Sequence, residues 1–200
     1  MRDLNTIILA SVSPRRSELL KSLGLRVLIV PSNVDETDPP ALAPADLATL
    51  HAAAKADAVA ERERAHVIVA ADTVVDLDGR ALGKPRDAAQ ARSMLAALAG
   101  REHTVHSAFT AIDPASAARL SRLSSTRVRF APLSADDIER YLATGESFDK
   151  AGAYGIQGRG AALVERIDGD FYTVMGFPLG LFVRSLPELG YRLASGAAAR

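Results

Sequence analysis

The chain has 200 residues, 48% of them hydrophobic, and its 24 Lys plus Arg balance 24 Asp plus Glu for a formal charge of zero. At this length roughly 70% of the unfolded chain's surface can be buried, which excludes a disordered protein or a stapled mini-protein. The neutral charge excludes a general binder of nucleic-acid polymers, whose affinity comes from neutralising phosphates, and the lack of cysteine excludes a disulfide framework, a zinc ribbon and a thiol nucleophile. The expectation is a single cytoplasmic domain over residues 1–200.

Residues 6–10 form an apolar run far too short for a membrane span of about 20 residues, and no cleavable signal or membrane partner is expected. Residues 6–11 read as a buried strand. Ser13 before Pro14 predicts a helix to about residue 23, with Ser13 as N-cap and Pro14 in the first turn. A second strand is expected over 25–31, then an acidic, proline-containing loop over 32–40 and an Ala-rich helix over 44–63. Residues 67–71 and 73–77 read as two short strands, the second closed by Asp78-Gly79. Asp87 with Gln90 three residues on opens a helix that ends at Gly100. Period-two alternation over 104–112 and 120–130 predicts paired strands, and Ser134 opens a helix that stops before Gly145. A glycine-rich loop spans 152–160, followed by a strand over 162–167, a helix over 178–189 and a frayed tail over 194–200. Helices and strands alternate early and strands pair late, as in an α/β protein with a mixed sheet.

Positive charge is written as Arg 20 times and as Lys four times, at Lys21, Lys55, Lys84 and Lys150. A Lys in this background can mark a site that needs a compact ammonium. Four segments carry possible chemistry. In SVSPRR (residues 11–16), Arg15 and Arg16 occupy a helix start whose partial positive charge disfavours them; an anion reverses that sign, and free amides, Ser13 and two guanidiniums then make a phosphate site. The alternative is two solvated arginines at an exposed end. In AADTVV (residues 70–75), Asp72 and Thr73 interrupt an apolar strand, where a carboxylate can bind a divalent cation or accept a proton from water; a turn Asp is the plainer reading.

LGKPR (residues 82–86) projects Lys84 between Gly83 and Pro85, a weak signal on its own. Lys55 lies in a bland helix where a solvated side chain is the ordinary explanation. Residues 149–160 hold a glycine-rich loop that matches neither GxGxxG nor a Walker loop. Its Gln157 has an amide that donates and accepts at once, as the edge of a nucleobase requires; a surface loop with an incidental Gln reads equally well. His51, His66, His103 and His106 show no ligand spacing with acids and read mostly as structural.

In combination these segments, with Asp35-Glu36, Lys55-Ala56, Gly100 with His103 and Val105, and Gly176-Phe177-Pro178, resemble the Maf family of nucleoside triphosphate pyrophosphatases over nearly the whole chain. The resemblance implies a Maf/ITPase-like α/β fold, with an elongated mixed sheet flanked by helices and two lobes around a central cleft, and a homodimer. It implies house-cleaning hydrolysis of a nucleoside triphosphate substrate with a divalent cation, Mg²⁺ or Mn²⁺. Arg15, Thr73 and Gln157 resemble the specificity positions of the dTTP/UTP subfamily. Asp72 would be catalytic, Ser13, Arg16, Lys55 and Lys84 would bind phosphate, and Glu36 with Asp72 would hold the metal. The 7-methyl-GTP subfamily and a non-catalytic nucleotide-binding regulator of cell division are the alternatives. No fused methyltransferase segment is expected.

Overall fold

The computed structural model describes residues 1–35, 39 and 42–194. Its strands are β1 (Arg2–Leu4), β2 (Thr6–Leu9), β3 (Arg26–Ile29), β4 (Val67–Leu77), β5 (Arg80–Leu82), β6 (Glu102–Asp113), β7 (Ala118–Phe130), β8 (Val164–Asp168) and β9 (Tyr191–Leu193). Its helices are α1 (Pro14–Lys21), α2 (Pro44–Ala60), α3 (Ala88–Leu98), α4 (Ala135–Leu142), α5 (Phe171–Met175) and α6 (Leu179–Ser185), with short 3-10 turns at Ala151–Ala153, Gly158–Leu163 and Leu186–Leu189. Among the described residues no helix is long and apolar enough to cross a membrane.

The main sheet is mixed, in the order β3-β2-β4-β6-β7-β8, with β5 paired to β4. The pairs of β2 with β3 and β4 are parallel, whereas β4 to β8 pair antiparallel. The two strands expected over 67–71 and 73–77 are one continuous strand. Asp72 does not break it, because β6 pairs with β4 from Ile68↔Ile112 to Asp76↔Thr104 without interruption. The expected terminal helix divides into α6 and a 3-10 turn at Pro187, whose ring removes a backbone donor. Sequence reading misses β1, β5, β9 and α5, each five residues or fewer.

One face of the sheet carries two apolar cores end to end. The first half of β4 (Val67, Val69, Ala71) joins α1, α6 and Phe109, Phe177 and Phe182; the second half (Val75, Leu77) joins α3, α4 and Phe130. Between them runs a polar rung, Thr73↔Ser107↔Ser124, in register across β4, β6 and β7. The opposite face is covered by α2, whose small residues Ala48, Ala52 and Ala56 allow the helix to sit close on Ala70, Val74 and Ala108. Pairing of β4 with β2 stops at Val69 and pairing with β5 begins at Val75. The intervening edge of β4 is where the cleft opens.

Candidate active site

A cleft of about 760 Å³ lies at this edge, lined by the start of α1, the middle of β4, the segment around Lys84, the glycine-rich loop and Gly176. It brings Ser13, Arg15, Arg16, Lys55, Asp72, Thr73, Lys84 and Gln157 together. Glu36 lies outside the described residues.

Ser13 takes the N-cap position of α1, but its hydroxyl makes no capping bond; its own N–H donates to Ser11 Oγ at 3.2 Å. The first bond inside the helix runs from Ser17 N–H to the Ser13 carbonyl, so the amides of Arg15 and Arg16 precede it, and the Ser13 hydroxyl stays available to the cleft. The two arginines diverge. Arg15 crosses the cleft to Asp149, with Nη1 donating to Oδ2 at 2.8 Å. Arg16 reaches inward, Nε donating to the Gly176 carbonyl at 3.0 Å and Nη2 to Thr73 Oγ1 at 3.1 Å.

Thr73 and Asp72 are neighbours in a strand and therefore point to opposite faces. Thr73 Oγ1 lies 2.9 Å from Ser107 Oγ, which itself donates to the Thr173 carbonyl at 2.7 Å. The Thr73 proton is thus directed to Ser107 or to the Gly176 carbonyl at 3.3 Å, and its lone pair accepts from Arg16. The polar rung between the cores ends in this guanidinium.

Asp72 points the other way, toward α2. It is 8% exposed, and Lys55 Nζ donates to its Oδ1 at 2.6 Å. His51 Nδ1 is 3.6 Å from Oδ2. Burial pushes the Asp72 carboxyl upward, but His51, Lys55 and Arg16 outweigh that and hold it below the usual carboxylate range. The group is therefore an ionised carboxylate at neutral pH, in a wall of the cleft.

On the far side, Lys84 is exposed at the rim and Gln157 stands exposed on the glycine-rich loop. The loop is tied to the Gly83 carbonyl by the Gly152 N–H at 3.0 Å. Beneath it Tyr154 Oη lies 2.7 Å from His103 Nε2, and both rings pack edge-on against Phe130.

Residues 6–189 match the family described as "Maf-like protein". The chain belongs to the Maf family. It is 45% identical to the dTTP/UTP pyrophosphatase of Symbiobacterium thermophilum over 98% of this chain and 100% of that one. It is 47% identical to the dTTP/UTP pyrophosphatase of Moorella thermoacetica over 88% of this chain and 91% of that one. The fold is also similar to that of a HAM1 protein from Coxiella burnetii, with 16% identity, a TM-score of 0.49, and coverage of 92% of this chain and 100% of that one.

Within the Maf cleft, no group of three or more His, Asp or Glu residues is placed to hold a metal among the described residues. A small divalent cation needs only one or two carboxylates when phosphate oxygens and water complete its shell. The ionised Asp72 fits an ion that arrives with a triphosphate. His51 is the site residue that sequence reading passed over. Its signal was available, since it precedes Lys55 by four residues and so shares that residue's helix face. The partnership of Asp149 with Arg15 had no local signal, the two being 134 residues apart.

Two of the other histidines of the Maf chain are held in the scaffold. His106 Nδ1 lies 2.8 Å from Ser125 Oγ, and burial pushes the His103 imidazole down to about 4. The unfolded chain binds a proton at this residue below its ordinary value near 6.5, whereas the folded chain does so only near 4. Stability contributed by neutral His103 is therefore complete above pH 6.5 and falls as the pH drops toward 4, at about 1.4 kcal/mol per pH unit within that window. Denaturant melts of the wild type and His103→Gln across this range should show the gap between them shrinking as acid is added. A constant gap would remove the burial of a neutral imidazole as its cause.

Proposed function

We propose that this chain hydrolyses dTTP and UTP, with modified pyrimidine triphosphates as further substrates, to the nucleoside monophosphate and pyrophosphate. The observation that carries the reading is an ionised, buried carboxylate, Asp72, set in the wall of a cleft that is also lined by a helix start and an exposed lysine. Relatives named dTTP/UTP pyrophosphatase at 45% identity over nearly the whole chain support the substrate class.

In this reading the triphosphate lies along the start of α1, against the amides of Arg15 and Arg16, the Ser13 hydroxyl and Lys84, where the helix end favours anions. Lys55 steadies Asp72 and adds positive charge beside it. Asp72 takes a proton from a water molecule whose oxygen attacks the α-phosphorus. As the new P–O bond forms, the bond bridging the α- and β-phosphates breaks, and the electron pair leaves with pyrophosphate. Asp72, together with Glu36, would hold a divalent cation, Mg²⁺ or Mn²⁺, and that ion would supply charge neutralisation on the phosphates. Gln157 and Arg15 read the base, and Thr73 acts through the Arg16 guanidinium that it receives. The homodimer and the cytoplasmic setting belong to the same reading, as the family resemblance implies them.

The test is pyrophosphate release from UTP, dTTP, CTP, ATP, GTP and 7-methyl-GTP with either cation. A lead of UTP and dTTP is expected. Preference for 7-methyl-GTP would move the chain to the other subfamily, and no turnover of any nucleotide would favour the non-catalytic regulator. Gln157→Ala should lower kcat/KM for UTP and dTTP by roughly tenfold to a hundredfold, because a site built to pair a pyrimidine edge is left with unpaired groups. Unchanged ratios across the panel would remove Gln157 from base reading.

A further inference from the structure

The side chain of Gln157 is exposed, so its direction depends on the backbone that carries it. That backbone is unusually constrained. Residues 155–160 fold back so closely that a Cβ on Gly160 would sit 1.9 Å from the Gly155 carbonyl oxygen, which makes Gln157 the tip of a loop with a closed neck. Tyr141, buried in the last turn of α4, accepts the Gly155 N–H at 3.2 Å. Glu146 accepts from the other arm, Oε1 from Arg159 N–H at 3.1 Å and Oε2 from Gly160 N–H at 3.3 Å. Gly158, at φ +62°, lies against the same carboxylate, where a Cβ would be 2.8 Å from Oε1. The anchors therefore lie within three residues of Gln157 on both sides.

Resting on the reading of Gln157 above, we propose that Tyr141 and Glu146 are positioning residues for base recognition, holding loop 155–160 in the shape that presents Gln157 to the cleft. Bonds from amides to a carboxylate are about twice as strong as neutral ones, which suits a support that has to keep an exposed side chain aimed. The same short segment also orients Arg15. Lys150 Nζ donates to the Glu146 carbonyl at 2.5 Å and to Asp149 Oδ1 at 2.6 Å, and Asp149 Oδ2 accepts from Arg15 at 2.8 Å. Both residues assigned to the base are thus tied to residues 146–150, in the turn segment that follows α4. That helix is itself fixed, by a Ser134–Asp137 capping box and by Ile138, Tyr141 and Leu142 in the second core.

The experiment uses the full chain without metal or turnover, with Glu146→Ala, Glu146→Gln and Tyr141→Phe. Amide hydrogen exchange of the ligand-free protein reads the loop, equilibrium binding of UTP against ATP reads the base, and inorganic pyrophosphate reads the phosphate cradle. Glu146→Ala should speed exchange at Arg159 and Gly160 and lower the UTP:ATP affinity ratio by about tenfold, with pyrophosphate affinity held. Glu146→Gln keeps one acceptor oxygen and should restore part of both effects, and Tyr141→Phe should speed exchange at Gly155 with a smaller loss of ratio. Unchanged exchange in the Glu146 variants, or faster exchange with an unchanged ratio, would overturn the proposal, as would a wild type that binds UTP no better than ATP. Failure of the wild type to release pyrophosphate would instead overturn the hydrolase reading, and the binding comparison would still decide this one.

Discussion

Asp72→Asn should lower turnover of UTP by roughly 10² to 10⁴, the usual worth of a positioned general base. The amide is nearly isosteric and keeps an oxygen toward Lys55 Nζ, now 2.6 Å from Oδ1, but it cannot take the proton of the attacking water. Triphosphate affinity measured without a divalent cation should hold or rise, because a negative charge is removed from the cleft. Stability should fall: deleting one charge of a buried ion pair leaves the other without its counter-charge, at a cost of about 3 to 5 kcal/mol when nothing replaces it and less when a neutral acceptor remains. Single-turnover rates, nucleotide binding and a denaturant melt on the same preparation separate these effects. Turnover within a few-fold of the wild type would return Asp72 to a structural partner of Lys55.

Gly160→Ala should reduce kcat/KM for UTP by roughly a hundredfold or more, although residue 160 supplies no side chain to the cleft. The added Cβ would meet the Gly155 carbonyl oxygen at 1.9 Å and Tyr141 Oη at 3.0 Å. Carbon-to-oxygen contacts of about 3.3 Å are the ordinary close limit, so the neck of the loop has to open by more than an ångström. Displacements of that size cost on the order of 10²-fold when they misplace a recognition group. The opening also breaks the bonds to Glu146, so exchange at Arg159 should rise alongside the loss of activity. Activity within threefold of the wild type would show that the closed neck is unnecessary for substrate recognition.

Much of the scaffold was legible because helices and strands write their periodicity locally. Residues 88–98, between Asp87 and Gly100, form α3 as expected, with Asp87 Oδ1 accepting the Gln90 N–H at 2.7 Å. The long alternating runs became β6 and β7. The elements that were missed lack such a signal. The three residues of β1 pair with β9 at the other end of the chain, a register that no local pattern encodes.

The segments with chemistry were also visible, since polar residues interrupt apolar strands and helix starts at SVSPRR, AADTVV and residues 149–160. What each side chain does there was decided by tertiary structure. Adjacent Arg15 and Arg16 part toward Asp149 and Gly176, and adjacent Asp72 and Thr73 face opposite sides of the sheet. The register of three strands lines Thr73 up with Ser107 and Ser124, converting a hydroxyl beside an acid into a support for Arg16. Sequence by itself determined the α/β class with a mixed sheet, through propensity and period over neighbouring residues, and marked the candidate segments by their polar interruptions; their grouping around one cleft was what the family resemblance implied. The direction of every charge within the cleft depends on which distant partner satisfies it, and only the packed chain brings those partners within hydrogen-bonding distance.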